Sequence, residues 1–171
     1  MTWLGIRLLE KCGRGWNLPP QERGLIIRGI FLLSFTMLGL RTMSFRRCRD
    51  LIQQFSHDGL SPRKFETSGQ LETRNKILNA MIAVEQNSPW RPNCLERSLA
   101  LWGFLKLNNL DGELHIGGRK TNGRFEAHAW VECDGKVLND SSDVHNHYAR
   151  FDAPIAAAEP NSTDVIEGKI K

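Results

Sequence analysis

The segment that most constrains the fold runs from Asn93 to Lys106 and reads NCLERSLALWGFLK. Asn93 is a favourable helix cap and Glu96, three residues later, completes a capping-box pattern, so the helix is predicted to begin at Cys94. Two stripes at helical spacing are predicted to be buried. They contain Cys94, Ser98, Leu101 and Leu105 on one side and Leu95, Leu99 and Trp102 on the other. A chain of 171 residues is long enough to bury such a helix in one domain.

Three strand-like runs follow this helix. A turn at Asp111 and Gly112 precedes the run 113–120, and a second turn at 121–124 leads into the next run, 125–132. The third run ends at Asp140, after a loop that contains an Asp-Gly pair. This pattern predicts an α+β fold, in which the helix packs on a small antiparallel sheet.

The N-terminal half is predicted to be helical. Two prolines followed by Glu22 suit a helix start, and the helical pattern continues to about residue 55 with a break near Gly39 or Ser44. A second, amphipathic helix is predicted over 70–86. Composition indicates a helical N-terminal region at 1–55, a linker at 56–69, the core at 70–151 and a mobile tail at 152–171.

Positive charge is concentrated at the N-terminal end. The net charge is +4, whereas residues 1–50 carry nine Lys or Arg against three Asp or Glu. This end could face an acidic protein partner or a membrane surface. Aromatic and basic residues do not alternate there as in single-strand nucleic-acid binders, so nucleic acid is not expected as a partner.

The apolar stretch 25–40 raises the question of a membrane. Arg28 interrupts it, and the uncharged run that remains is too short because a spanning helix needs about 20 apolar residues. No small-residue cleavage site follows, which argues against a secretory signal. We expect a helix buried against the domain or a partner, in a cytoplasmic protein. An interfacial membrane helix beside Arg46, Arg47 and Arg49 is the alternative.

Cys94, His128 and Asp140 form a candidate catalytic group. A thiol in the first turn of a helix lies beside unpaired backbone N–H groups, which favour the thiolate and can bind an oxyanion. A carboxylate that accepts a hydrogen bond from the imidazole would leave the other ring nitrogen for the thiol. Each residue alone fits a structural role, but the combination favours a cysteine hydrolase without a metal or cofactor. The four cysteines contain no CxxC pair, which favours reduced thiols in a cytosol.

The hairpin register decides whether the imidazole can reach the carboxylate. A two-residue turn at Asp134 and Gly135 would place His128 opposite Ser141 and send Asp140 to the other face. A three-residue loop would instead place His128 directly opposite Asp140. We predict the three-residue loop.

In the predicted register Glu132 pairs with the oppositely charged Lys136, and Trp130 lies opposite Leu138. The residues of one face are then Phe125, Ala127, Ala129, Val131 and Val137, and those of the other are His128, Trp130, Leu138 and Asp140. The second face is expected to receive the start of the Cys94 helix, with Trp130 shielding the catalytic pair.

Other histidines are weaker candidates. A zinc site built from Cys133, His145 and His147 with Asp143 is conceivable, but no second paired motif accompanies these residues. His115 alternates with apolar neighbours and is expected to be structural.

The chain resembles a known enzyme family at the residues of the catalytic group. The matching segments are PWRPNCLERSLAL at 89–101, GELHIGGRK at 112–120, AHAWVE at 127–132, LND at 138–140 and LPPQER at 18–23. They are similar to the protease half of the lasso-peptide maturation B proteins, a branch of the transglutaminase-like cysteine enzymes with a papain/transglutaminase-like core. The resemblance covers roughly residues 15–151.

This resemblance implies a leader peptidase. Such an enzyme cuts the leader from a precursor peptide, and a separate ATP-dependent macrolactam cyclase then closes the core peptide. The family mechanism maps onto Cys94, His128 and Asp140 as the catalytic residues. Trp90 and Asn93 are candidates for a second oxyanion donor because they lie near Cys94 in the sequence, and Trp130 is a candidate substrate contact.

The resemblance also implies a protein partner. Fused members carry a winged-helix-like leader-recognition domain before the protease, whereas residues 1–90 here lack a three-strand pattern. We therefore expect a stand-alone protease that acts with a leader-recognition partner protein, which, like the cyclase, could dock on the N-terminal helices. The alternatives are acyl transfer to an amine instead of water, and a non-catalytic scaffold of the same fold.

Overall fold

Three helices precede the Cys94 helix in the computed structural model, which describes residues 20–54 and 68–151. They are α1, Pro20–Thr42, α2, Phe45–Gln54, and α3, Ser68–Asn87. The break between α1 and α2 falls near Ser44, one of the two positions predicted for it. The predicted linker lies outside the described residues except for its last two, which begin α3, and the predicted tail lies wholly outside them.

The Cys94 helix, α4, is Cys94–Leu107 and begins where the sequence predicts. Asn93 Oδ1 accepts the N–H of Glu96 (2.9 Å), and the N–H of Asn93 donates to Glu96 Oε2 (2.8 Å). The predicted capping box is therefore confirmed. The stripe residues that are fully buried are Ser98, Leu99, Leu101, Trp102 and Leu105.

A four-stranded antiparallel sheet follows α4. Its strands are β1, Glu113–Thr121, β2, Arg124–Cys133, β3, Lys136–Val137, and β4, Ala149–Arg150, in the spatial order β3-β2-β1-β4. A short helix, α5, Val144–His147, precedes β4. Apart from the short α5, the helices precede the strands of an antiparallel sheet along the chain, which confirms the α+β fold class.

One hydrophobic cluster joins the N-terminal helices to α4 and the sheet. It includes Leu33 and Met37 of α1, Cys48 and Ile52 of α2, Ile77 and Met81 of α3, Leu99, Leu101 and Leu105 of α4, and Leu114 and Val131 of the sheet. A Cβ on Gly103 of α4 would lie 2.9 Å from Ile52 Cγ2, so the missing side chain allows α2 to approach. The N-terminal helices thus share their core with the sheet domain.

The opposite side of α1 remains apolar but exposed. We call it the outer face of α1, and it consists of Ile27, Ile30, Phe31, Phe35 and Leu38, each at least 40% exposed. By length and composition alone, Glu22–Thr42 could cross a membrane, which is weak evidence because core helices pass the same test. Since Leu33 and Met37 are buried in the shared cluster, α1 serves as a core helix on one side, as predicted.

The β2–β3 hairpin differs from the prediction. Its loop has two residues, because Cys133 pairs with Lys136 and Glu132 with Val137. The predicted three-residue loop and its pairing of Glu132 with Lys136 are therefore wrong. Asp134 and Gly135 both have positive φ, 50° and 72°, as in a type I′ turn. The two-residue loop is favoured over the three-residue loop because the twist of a type I′ turn matches that of the flanking strands.

The predicted assignment of the sheet faces is also partly wrong. The shift of one residue moves Val137 and Leu138 each to the other face. Leu138 packs against the cluster that contains Val131, not against Trp130. The body of α4 covers the face of Ala129 and Val131. That the start of this helix meets the face of Trp130 and His128 stays a prediction.

The two sides of α1 can be compared by one leucine-to-alanine substitution on each side. Leu33→Ala removes a side chain that is 3% exposed and should lower the free energy of unfolding by about 2–5 kcal/mol, whereas Leu38→Ala, at a residue 64% exposed, should change it by less than about 0.5 kcal/mol. Urea denaturation of both variants measures the difference. Equal costs would show that α1 does not pack as described.

Candidate active site

Cys94 is the first residue of α4, and its side chain is half-buried. The capping box engages the N–H of Glu96, whereas among the described residues the N–H groups of Cys94 and Leu95 meet no acceptor. Two donors of the first turn are therefore available beside the sulfur. Ser98 lies one turn further along the same face of α4, about 6 Å along the axis.

His128 and Asp140 are in direct contact. His128 Nε2 lies 2.5 Å from Asp140 Oδ2, and both side chains are partly exposed, by 18% and 24%. Because an ionised carboxylate can only accept a hydrogen bond, Nε2 carries the proton and Nδ1 is left for another partner. The second oxygen of Asp140 accepts the N–H of Ser141 (2.7 Å). The predicted contact is present even though the register predicted to produce it is wrong.

Ser98 and Asn139 connect the elements that carry these residues. Ser98 Oγ donates to the carbonyl of Ala129 (2.8 Å), directly after the histidine. Asn139, directly before the aspartate, donates from Nδ2 to Ser98 Oγ (2.9 Å) and accepts the N–H of Val131 at Oδ1 (2.8 Å). Neither role was predicted, and the sequence signals for them are the place of Ser98 in a buried stripe and of Asn139 in the LND segment.

Aromatic rings flank His128. The ring of Tyr148 stacks on the imidazole with centroids 4.7 Å apart, and the Trp130 ring lies 6.4 Å away. Arg119 lies over the Tyr148 ring and pairs with Glu126 (2.7 Å). Sequence reasoning missed Tyr148, whose only signal is that it is the single tyrosine of the chain. These rings restrict the orientations open to the imidazole.

Glu132 is buried and holds Trp130. Trp130 Nε1 donates to Glu132 Oε1 (2.5 Å), and Arg150 donates to the same oxygen (2.6 Å). His145 Nε2 lies 3.3 Å from that oxygen. Burial of the carboxylate, which is 6% exposed, requires such partners, so Glu132 is bound within the fold and not to the exposed Lys136.

The two residues suggested as further oxyanion donors lie just before α4. Trp90 is 60% exposed, and its backbone N–H donates to Ser88 Oγ (3.3 Å). Asn93 uses both its Oδ1 and its backbone N–H in the capping box, so its Nδ2 is the remaining donor. Their contact with an oxyanion stays a prediction.

The residues considered for a zinc site contact separate partners and do not converge on one point. His147 Nε2 lies 3.3 Å from Asp143 Oδ2, and His145 faces the buried carboxylate described above. Cys133 Sγ lies 3.5 Å from Arg74 Nη1. Within the described part of the chain, no three His, Cys, Asp or Glu side chains are grouped as ligands of a metal ion.

Comparison with known families accounts for most of this architecture. Residues 39–151, which include the catalytic candidates, match the family described as the Transglutaminase-like superfamily. The chain belongs to the transglutaminase-like superfamily. Its mixed helices and antiparallel sheet agree with that membership.

A characterised relative points in the same direction. Over 132 residues the chain is 26% identical to the microcin J25-processing protein McjB of Escherichia coli. The aligned segment covers 77% of this chain and 62% of McjB. The chain thus spans less than two thirds of the length of that relative. The similarity supports the resemblance to the lasso-peptide maturation B proteins. No solved structure matches the chain.

His115 is buried against Trp130, with ring centroids 5.8 Å apart. Its Nε2 lies 3.2 Å from Glu113 Oε2 and 3.7 Å from Glu132 Oε2, but neither contact has hydrogen-bond geometry. Burial lowers the pKa of His115 below its ordinary 6.5, and the charge of Arg150 acts in the same direction against the two carboxylates.

Acid should therefore destabilise the protein partly through His115. The imidazole of His115 takes up a proton near pH 6.5 in the unfolded chain but only at lower pH in the folded chain. The contribution of neutral His115 to the free energy of unfolding is therefore complete above pH 6.5 and is lost as the pH falls below it. The slope from one such proton reaches at most about 1.4 kcal/mol per pH unit. Urea denaturation between pH 5 and 7.5 should show a smaller slope for His115→Gln. His147→Gln, on an exposed helix, controls for loss of an imidazole, and an unchanged slope in His115→Gln would contradict the assignment.

Proposed function

We propose that the protein is a cysteine peptidase that removes the leader from a lasso-peptide precursor. The observation that carries the proposal is the contact of His128 with Asp140, on elements that Ser98 ties to the helix of Cys94. The similarity to a microcin J25-processing protein supports the substrate class. Membership of the transglutaminase-like superfamily supports thiol chemistry on a peptide or amide carbonyl.

In the proposed acylation step, His128 Nδ1 takes the proton of the Cys94 thiol. The sulfur attacks the carbonyl carbon before the core peptide, and the oxyanion that forms is bound by first-turn N–H groups of Cys94 and Leu95. His128 then returns the proton to the departing amine. The C–N bond breaks, the core peptide leaves with a free amino terminus, and the leader stays on the sulfur as a thioester. Asp140 stabilises the imidazolium that exists between the two proton transfers.

In the proposed deacylation step, His128 takes a proton from water. The hydroxide attacks the thioester, and Cys94 leaves as a thiol after receiving that proton, while the leader is released with a free carboxylate. An amine in place of water would give acyl transfer, which is the second candidate because the superfamily is transglutaminase-like. Loss of ammonia requires that Cys94 attack the side-chain amide of a glutamine, so that ammonia leaves in place of the core peptide and an internal amine of the precursor then takes the acyl group. Mass spectrometry separates the two reactions, since hydrolysis of the peptide bond yields two fragments and this transfer yields one chain that is lighter by one ammonia.

Cys94→Ala should reduce precursor cleavage by roughly 10³-fold or more, because it removes the proposed nucleophile. Cleavage is measured by mass spectrometry of a lasso-peptide precursor incubated with its leader-binding partner protein and the enzyme. Cys133→Ala is the matched control, since it removes another described thiol that is 2% exposed and should retain cleavage. Cleavage that survives Cys94→Ala would end the cysteine-peptidase proposal.

We also propose that a leader-recognition protein docks on the outer face of α1. A groove between α1 and the end of α4 is lined by Arg28, Phe31, Leu32, Phe35, Phe104, Leu107 and Asn108. Residues 20–54 carry six arginines against Glu22 and Asp50, so the partner surface is expected to be apolar with acidic flanks. The concave shape suits a protein side chain or helix better than a flat bilayer. The cyclase is proposed as a further member of the assembly.

Phe31→Ser should weaken binding of the leader-recognition protein by about 10-fold or more, because Phe31 is 72% exposed beside the groove. Ile82→Ser removes another exposed apolar residue, on α3, and serves as the control. Calorimetric titration measures the affinities. Point variants are preferred to deletion of the N-terminal helices, since these helices share the core. An unchanged affinity of Phe31→Ser for the leader-recognition protein would contradict partner docking. So would a Phe31→Ser variant that keeps this affinity and loses only its binding to lipid vesicles.

A further inference from the structure

The hairpin register would keep Asp140 away from His128 if β3 continued. The observed pairs place Ala129 opposite residue 140 and His128 opposite Ser141 in such an extension. Neighbouring residues of a strand point to opposite faces, so the carboxylate would point away from the imidazole. The contact of 2.5 Å between the two side chains therefore requires that the chain leave the ladder before Asp140.

Two side chains occupy the positions where the ladder would continue. The N–H of Leu138 still follows the register and donates to the carbonyl of Val131 (2.9 Å). The return bond from the Val131 N–H goes to Asn139 Oδ1 (2.8 Å) and not to a strand carbonyl. In a longer β3, the N–H of residue 140 would donate to the next acceptor on β2, the carbonyl of Ala129. That carbonyl instead accepts a hydrogen bond from Ser98 Oγ (2.8 Å).

These two side chains also bind each other. Asn139 Nδ2 donates to Ser98 Oγ (2.9 Å), and Ser98 is fully buried. The hydroxyl is thus donor and acceptor at once, and the amide uses both its oxygen and its nitrogen. Because Ser98 belongs to α4, the helix that begins with Cys94 also determines where β3 ends. Loss of either side chain leaves a buried polar group of the other without its partner.

We propose that Ser98 and Asn139 are positioning residues, which end β3 and thereby bring Asp140 to His128. They act through Asp140 and do not touch the reacting atoms. Their catalytic consequence rests on the proposed peptidase function, whereas their effect on the imidazole does not. A closed network of this kind fixes the carboxylate within the narrow range that proton transfer requires.

Asn139→Ala should lower kcat for precursor cleavage by roughly 10- to 100-fold with little change in KM, since a displaced carboxylate affects proton transfer more than substrate binding. Ser98→Ala is the second variant and should act in the same direction. Asn146→Ala makes the same change at an exposed asparagine of α5 and should retain wild-type cleavage. Thermal denaturation of each variant reports whether it is folded at the assay temperature.

A double-mutant cycle separates positioning from general structure. In an Asp140→Ala background, adding Asn139→Ala should lower single-turnover cleavage less than about two-fold further, because the group it positions is already absent. A merely structural role would lower cleavage by the same factor in both backgrounds. That equal factor would overturn the proposal.

A spectroscopic readout tests the same point without substrate. In ¹⁵N-labelled protein, the side-chain nitrogen shifts of His128 should indicate the Nε2–H tautomer in the wild type, and this preference should weaken alike in Asn139→Ala and Asp140→Ala. A wild-type tautomer signal in folded Asn139→Ala would refute positioning even if the peptidase function holds. If the wild type does not cleave precursor, the peptidase proposal fails while the tautomer result still decides the role of Asn139.

Discussion

The burial of α4 between the N-terminal helices and the sheet is the constraint on which the rest of the structure depends. Its side chains Leu99, Leu101 and Leu105 share one cluster with residues of every other helix from α1 to α3 and of the two long strands. Trp102 Nε1 adds a hydrogen bond to the carbonyl of Gly112 (3.2 Å), where the chain enters the sheet. Because packing fixes the body of the helix, the place of Cys94 at its start is fixed as well.

Hydrogen bonds between polar side chains and the sheet backbone add to this packing near the candidate site. Where the short strand β3 leaves the ladder incomplete, the N–H of Val131 and the carbonyl of Ala129 both bind side chains instead. Ser98 and Asn139 fill that role between α4 and the sheet, while Glu132 gathers Trp130 and Arg150 on the other face. The same bonds that avoid unsatisfied groups also orient His128 and Asp140. Stability and the geometry of the candidate site therefore have a common origin.

The helical part of the fold could be read directly from the sequence. The start of α4 at Cys94 follows from a local signal, the capping box of Asn93 and Glu96, and the periodic apolar pattern predicts its burial. The hairpin could not be read in this way, because two loop lengths differ by one residue and a charge pair favoured the wrong one. The twist of a type I′ turn at Asp134 and Gly135 outweighed any attraction between Glu132 and Lys136.

The sequence by itself determined the fold class, the capped helix that presents Cys94 and the presence of His128 and Asp140 on later elements, because these depend on periodicity and local hydrogen bonding. Only the tertiary structure decided how the last two meet. In the actual register a longer strand would separate them, and the contact arises because side chains distant in sequence, Ser98 and Asn139, end β3. Such a bond depends on how α4 lies against the sheet, and no local pattern encodes that arrangement.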